Sequence, residues 1–557
     1  MKTPRITSAA TAIFVLTVLS SPISTFGQTA DRDALRNRIE ALSSTRGPVV
    51  AGAPIAAMPL ISAIYELRAY EPAWKDPKMV EELLDQVEGS AYHGLNPTDF
   101  HVRQIRESLE AGARNRDANS RADTEILYTD ALARLGVTLK FGKLDAKRLD
   151  PAWNFDREIE FEDPVKVFND ALNSKRISAA LENVDPDTEF YDRLRQALVR
   201  YRDIEQKGGW PTVPEGPGLK LGAKDGRVIA LRKRLRMTAD LKGAEPADPN
   251  VFDDHLEAAV KHFQTRHGID ADGKVGPRTL EELNTPVDAR IDQIRATLER
   301  FRWVFRDLPN DYVIVDIAGY HAKLVRRGRS IWTTRVQVGK PYHKTPVFRD
   351  TMQYIDFNPT WTIPPGILRN ETLPRVRKDP EYLSRNNMSV VTHSGEIIDP
   401  STVDWAATAS GKFPYMIRQE PGPDNALGRV KFMFPNQYMV YLHDTPSKGL
   451  FARTERAFSH GCIRTQNPFE LATLLLEDQG WDRARVDEVV GSLENTRVDL
   501  EKPIAVLLLY WTAEADADGT VHFRKDVYNR DAPIIEGLDQ PFRVDPPEGL
   551  REAVEKG

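Results

Sequence analysis

Apolar residues recur at helical spacing through the first 300 residues. In SRADTEILYTDALARLGVTLKFG, Leu127, Ala131, Leu135 and Leu139 fall at steps of four, which builds one apolar face on a helix. MVEELLDQVEG repeats the pattern with Val80, Leu83, Leu84 and Val87, and Gly89 marks a stop. Residues 30–210 are therefore predicted to form an all-α scaffold, and no reactive constellation stands out in it. PTVPEGPG, at 211–218, reads as a linker. A small three-helix bundle is expected over 219–284. Its apolar positions are Val228, Leu231 and Leu235, then Leu256, Val260 and Phe263. Asp253 is placed to cap the second helix, Gly268 to end it, and Gly276-Pro277 to open the third. A connecting helix follows over 285–308, capped at Thr285 with Pro286 in its first turn. Ile291, Ile294, Leu298 and Phe301 form its apolar side.

After Leu308 the period changes. DYVIVDIAG, AKLVRRGRSIWTTRVQVG and MQYIDFNPTWTI are rich in β-branched and aromatic residues and read as strands. QYMVYLHD is another strand, ending at His443, and NPFELATLLLEDQG is a helix opened by Asn467-Pro468. IAVLLLYWTAEADADGTVHFRKDVY reads as a hairpin turning at DADG. Residues 309–557 are thus a β-rich domain with a few helices, in which 368–429 shows few strand signals. The expected class is multidomain α+β.

The N-terminus adds a compartment. Lys2 and Arg5 precede an apolar run from about Ile6 to Leu19, and the small, polar SSPISTFGQTA follows. This is the layout of a secretory signal over residues 1–27, with a cut near Gly27. Export out of the cytoplasm is expected. An uncleaved N-terminal anchor in the inner membrane is the alternative. The net charge of −6 gives no support for a nucleic-acid partner.

Cys462 is the only cysteine of the 557 residues. It cannot pair within its own chain, although exported proteins often use cysteines as disulfides. It is a buried small hydrophobe, an intermolecular link or a nucleophile. Its neighbours favour the last. In YLHDTPSKGLFARTERAFSHGCIR, His443 closes a strand and the following loop is long enough to return Cys462 beside it. A free thiol has a pKa near ~8.5, so a histidine within reach that takes its proton makes a good nucleophile. Gly461 leaves room for a substrate and a sharp turn, and backbone N–H groups of Gly461 and Cys462 are placed to face an oxyanion. Taken singly, His443, His460 and Arg464 have structural explanations as surface, packing or ion-pair residues. Zinc is a competitor at His443, His460 and Cys462, but His460-x-Cys462 is tight for one tetrahedral ion, and no acid stands out nearby as a base. His255, His262 and His267 read as surface or core residues. No metal and no cofactor is expected.

Two stretches resemble known families. AVKHFQTRHGIDADGKVGPRTLEELN is similar to the peptidoglycan-binding module of cell-wall enzymes, matching at Phe263, Gln264, His267, Gly268, Asp272, Gly273, Val275, Gly276, Pro277, Thr279 and Leu283. Whether this copy binds wall or serves the fold stays open, because most of these residues are explained by turns and core. SHGCIR resembles the active-site signature of the L,D-transpeptidases with a YkuD-like catalytic domain. VGKPYHKTPVFRDTMQYIDFNPTWTIPPGIL, PGPDNALGRVKFMFPN and YLHDTPSKGLF are similar to the large, three-part branch of that family, which joins a helical scaffold, a peptidoglycan-binding module and a catalytic domain.

The resemblance implies roles. Cys462 corresponds to the nucleophile and His443 to its base. The imidazole would be oriented by a backbone carbonyl, that of Asp444. Tyr441, His460 and Gly461 fall where the family lines the oxyanion side, Arg464 would steady the loop or meet a substrate carboxylate, and Trp361 lies where an aromatic borders the donor groove. Residues 368–429 would cap the site. The implied partners are peptidoglycan stem peptides, with a tetrapeptide donor and a diaminopimelate-type acceptor, and other wall-synthesis proteins. Carbapenem-type β-lactams would acylate Cys462. The implied product is a 3→3 cross-link. L,D-carboxypeptidase activity is the nearest rival, lipoprotein anchoring a variant, and a non-catalytic wall-binding protein the alternative of another class. A papain-type peptidase would show its cysteine before its histidine.

Overall fold

The computed structural model describes residues 23–542, except 112–116, 152, 154–162, 183–185, 187, 305–307, 380 and 412. The apolar run at Ile6–Leu19 lies outside the described residues. The first helix, Ile23–Ser43, spans the expected cleavage point. Among the described residues no helix is long and apolar enough to cross a membrane.

The helical N-terminal region is organised around Ala118–Phe141. This helix was expected to show one apolar face, yet it is buried on nearly all sides, including Glu125, Asp130 and Arg134. Its buried charges are paired inside: Asp130 accepts from the backbone N–H groups of Ala56 and Ala57 and meets His101 at 2.7 Å and Arg134 at 2.6 Å. Buried charge at such positions requires this pairing. A two-stranded pair, Val49–Val50 with Ala53–Pro54, accompanies the helices.

The three helices of the small bundle are Arg227–Met237, Asp254–Arg266 and Pro277–Asn284, around Leu231, Leu235, Phe252, Val260 and Phe263. Asp253 caps the second helix through the Leu256 N–H at 2.8 Å, as its position predicts. The proline-rich stretch before the bundle is tied to it, because Val213 exchanges two hydrogen bonds with Asn284. The connecting helix runs Val287–Val304 and packs with Glu189–Gln206 on the main core.

That core belongs to a nine-stranded sheet. In chain order its strands are β1 (Tyr312–Asp316), β2 (His321–Arg326), β3 (Arg329–Gly339), β4 (Phe348–Phe357), β5 (Val430–Met433), β6 (Leu442–His443), β7 (Ala457–Ser459), β8 (Ile463–Thr465) and β9 (Thr496–Leu509). The spatial order is β7-β3-β8-β6-β5-β4-β9-β1-β2, and β2 also pairs with β3. The sheet therefore curls until its far strand meets β3 again, through the first half of that long strand. β1 is buried at every position, which its unbroken YVIV run allows because both faces are covered. The DADG segment turns a hairpin between Ala513–Ala515 and Val521–Phe523.

Between β4 and β5 lies the stretch read as poor in strands. It is richer than that reading: Met388–Val391, Ile397–Ile398 and Met416–Gln419 join Trp361–Thr362 in a four-stranded antiparallel sheet. The strands are only two to four residues long, too short for an alternating pattern to register in sequence. Ile363, Leu373, Val376, Leu383, Val390 and Ile417 give this insertion a core of its own.

Candidate active site

Two adjacent strands build the site. β6 and β8 run parallel, with Leu442 beside Ile463 and His443 beside Arg464. The Ile463 N–H donates to the Tyr441 carbonyl at 3.0 Å, which sets Cys462 next to Tyr441. Side chains alternate along strands. Leu442 and Ile463 are fully buried in the core, so Tyr441, His443, Cys462 and Arg464 share the opposite face. The register extends this face in both directions. Gln337 of β3 pairs with Arg464, Lys431 of β5 with His443, Asp356 of β4 with Lys431, and Arg497 of β9 with Asp356.

His443 is buried, and its Nδ1 is enclosed without a hydrogen-bond partner among the described residues. Burial pushes its pKa down to about 3, helped by the positive charges of Arg464 and Lys431, while the carbonyls of Asp444 and Leu427 pull the other way. The ring is therefore neutral at pH 7. The Asp444 carboxylate is engaged elsewhere: it accepts the Arg429 N–H at 2.9 Å and pairs with Lys448. Any influence of Asp444 on His443 runs through its main chain.

Cys462 is half-buried, and its thiol points to the Met439 carbonyl at 3.7 Å. Burial raises its pKa, opposed by Tyr441, Lys431 and Arg464. Burial thus favours the uncharged form of both groups, the thiol and the imidazole. The Tyr441 ring stands edge-on to the His443 ring, with centroids 5.6 Å apart. Burial raises the pKa of its hydroxyl, with the Cys462 thiol adding to the rise and Trp361 opposing it. Trp361, on the first short strand of the insertion sheet, thus reaches the site through Tyr441. Arg464 donates to Gln337 Oε1 at 3.3 Å, and its buried Nε has no partner among the described residues.

The turn before Cys462 is held from inside. Ser459 Oγ donates to the Cys462 carbonyl at 2.6 Å and accepts the Gly461 N–H at 3.1 Å. Gly461 takes φ +121°, a conformation open to glycine. Its N–H was expected to face a substrate. It turns inward instead, because a buried N–H needs a partner and Ser459 supplies one. The Cys462 N–H has no partner among the described residues and remains available as a donor. His460 is exposed at the edge of the site. Its Nε2 meets Glu371 Oε1 of the insertion at 2.7 Å, and its ring lies 4.9 Å from that of His343.

The structure thus gathers Tyr441, His443, Cys462 and Arg464 on one face, with Trp361 against Tyr441 and His460 on the rim. Sequence reasoning assigned no role to Lys431, Gln337, Ser459, Thr345 or Glu371. Lys431 and Gln337 enter the site through strand register, while Ser459, Thr345 and Glu371 enter through hydrogen bonds that the fold alone brings about. Among the described residues no group of three or more His, Cys, Asp or Glu side chains is placed to hold a metal ion.

Known protein families match three segments of the chain. The L,D-transpeptidase catalytic domain model, YkuD, matches residues 310–498. A model described as "Putative peptidoglycan binding domain" matches 224–283, and the Scaffold domain model matches 59–198. A curated relative from Haemophilus influenzae, named "Putative L,D-transpeptidase", is 36% identical over 222 residues. That match covers 40% of this chain and 45% of the relative, so it spans less than half of the relative's length. A crystal structure of an L,D-transpeptidase from Xylanimonas cellulosilytica is 16% identical with a TM-score of 0.18, covering 53% of this chain and 99% of that one. One from Stackebrandtia nassauensis is 16% identical with a TM-score of 0.21, covering 54% and 96%. Superpositions that loose assign no residue roles. The chain thus carries, in order, segments that match a scaffold domain, a peptidoglycan-binding domain and the L,D-transpeptidase catalytic domain.

Proposed function

We propose that the protein is a peptidoglycan L,D-transpeptidase that forms 3→3 cross-links through a thioester on Cys462. The observation that carries this reading is the shared face of β6 and β8, on which a thiol, an imidazole, a phenol and a guanidinium converge. His443, neutral at rest, takes the proton of the Cys462 thiol. The sulfur then bonds to the carbonyl carbon of the third residue of a tetrapeptide stem, and the carbonyl π pair moves to oxygen. The Cys462 N–H and the Tyr441 hydroxyl are the donors available to that oxyanion, which raises their value in a water-poor site. Collapse breaks the bond to the terminal D-Ala, whose amine leaves with the proton from His443. A thioester remains. The side-chain amine of a second, diaminopimelate-type stem attacks it and restores the thiol.

Arg464, with a buried donor to spare, suits a stem carboxylate. Trp361 and His460 border the groove between the sheet and the insertion, which would cap it. The site requires no cofactor for these steps. Acylation of Cys462 by carbapenem-type β-lactams follows from the same nucleophile. Residues 219–284 would bring the enzyme to the wall, and the N-terminal segment would export it to the periplasm.

Incubation of the purified chain with disaccharide-tetrapeptide, read by mass spectrometry, tests the reading. A dimer lacking one D-Ala is expected. Tripeptide alone would instead support an L,D-carboxypeptidase, in which water takes the place of the amine. Neither product would leave a wall-binding role.

A further inference from the structure

Lys431 has no place in the chemistry above, yet its position is unusual for a lysine. It sits on β5, a central strand, directly opposite His443 on one side and Asp356 on the other. Its ammonium lies 4.3 Å from the centre of the Tyr441 ring. Lysine is seldom drawn into a sheet interior without a partner, and a cation over an aromatic face is stabilised by the ring quadrupole. The charges it meets are those of Asp356 and, once ionised, Cys462, and both favour its protonated form against burial. The groups facing Cys462 are Tyr441, Lys431 and Arg464. Those facing His443 include the same two cations, which resist its protonation. Lys431 and Arg464 thus act on the pair in opposite senses, stabilising a sulfur anion and opposing an imidazolium.

The two cations are not equivalent. Arg464 shares its strand with Cys462 and donates to Gln337. Lys431 comes from two strands away and rests on the ring of Tyr441, whose carbonyl accepts the N–H of Ile463, next to Cys462. We propose that Lys431 is a positioning residue for Cys462: its ammonium, seated on the Tyr441 ring beside Asp356, supplies the positive charge against which the sulfur anion forms. In the step it assists, the S–H bond breaks, the proton goes to the His443 ring and the electron pair stays on sulfur. The inference rests on Cys462 being the nucleophile.

Cys462 is the only thiol, so alkylation by iodoacetamide reports on it alone. The full chain and its variants are alkylated across pH 6–11, and the midpoint of the rate profile is read. An opposite charge within about 4–6 Å shifts a titration by about one unit or more. Lys431→Met is expected to move the midpoint up by about one unit, and Lys431→Arg to restore most of that shift. Recovery with the other cation would not arise from loosened folding. An unmoved midpoint in a folded Lys431→Met chain overturns the proposal. If that variant does not fold, an unmoved midpoint in Lys431→Gln overturns it. The readout needs no peptidoglycan, so failure of the transpeptidase reading would show separately, as missing D-Ala release with the thiol shifts intact.

Discussion

Thr345 and Gly461 are joined by a buried hydrogen bond: the Thr345 hydroxyl donates to the Gly461 carbonyl at 2.8 Å and accepts the Gly339 N–H at 2.9 Å. One side chain thus ties the turn before Cys462 to the end of β3. The Thr345 N–H donates in turn to the Tyr528 hydroxyl, which donates to the Gly339 carbonyl at 2.6 Å. The position of the thiol depends on residues more than a hundred positions upstream and on one near the C-terminus.

Thr345→Val keeps the shape and leaves two buried main-chain groups without a partner. Each such group costs about 1–3 kcal/mol. The variant is expected to melt several degrees lower and to lose most acyl transfer. Thermal melting and D-Ala release measured on the same samples check this, and unchanged release would show that the turn does not need the tie.

Gly461→Ala meets little steric resistance, since an added Cβ would touch only the Lys344 carbonyl at 4.0 Å. Its penalty is the backbone conformation at φ +121°, about 1–3 kcal/mol. Gly339 is the contrast, because a Cβ there would lie 1.9 Å from the His343 carbonyl. Gly461→Ala is expected to stay folded while transfer falls on the order of 100-fold, the usual cost of a small misplacement. Gly339→Ala is expected to be the less stable of the two by thermal melting.

How much of this was legible before the fold was known differs by residue. Cys462 and His443 stood out because a lone thiol beside His-Gly, with a strand-end histidine upstream, is rare chemistry in a short span. Their shared face was not legible, since it depends on β6 and β8 pairing in parallel in one register, and a slip of one residue would turn either side chain away. Lys431 lies on a strand of four residues, Val430–Met433, too short to show a period in sequence. Thr345 and Ser459 are small hydroxyls whose partners lie across the fold. The three-helix bundle was legible from caps and periodicity, at Asp253 and Pro277 among others. The insertion strands were not, because two to four residues carry no period, and the Ala118–Phe141 helix hid its depth behind charges that pair inside the protein.

The depressed pKa of His443 fixes the acid side of the activity profile. A base must be neutral to work, and this ring stays neutral as pH falls through 6.5 toward about 3. kcat/KM is expected to show no acid limb near pH 6.5. Measurement from pH 5 to 8 checks this, and a fall with a midpoint near 6.5 would show an ordinary histidine at work.

Stability should follow pH with a definite sign. Burial lowers the folded pKa of His443 to about 3, of His321 to about 4, and of His267 well below its ordinary value. Below pH 6.5 the unfolded chain binds protons that these three residues refuse when folded. Their contribution is complete above pH 6.5 and is lost as pH falls toward the folded values, by up to about 1.4 kcal/mol per unit for each group. Urea unfolding at pH 7.0 and 5.5 is expected to show lower stability at pH 5.5, and His321→Gln should shrink the difference.

The central claim is that Cys462 carries the acyl group. Intact-mass spectrometry of the chain mixed with disaccharide-tetrapeptide and quenched in acid tests it most directly. The account predicts a covalent adduct equal to the donor minus D-Ala, mapped to Cys462 and absent from Cys462→Ala. D-Ala release by Cys462→Ala at the native rate, with no adduct on the native chain, would contradict it.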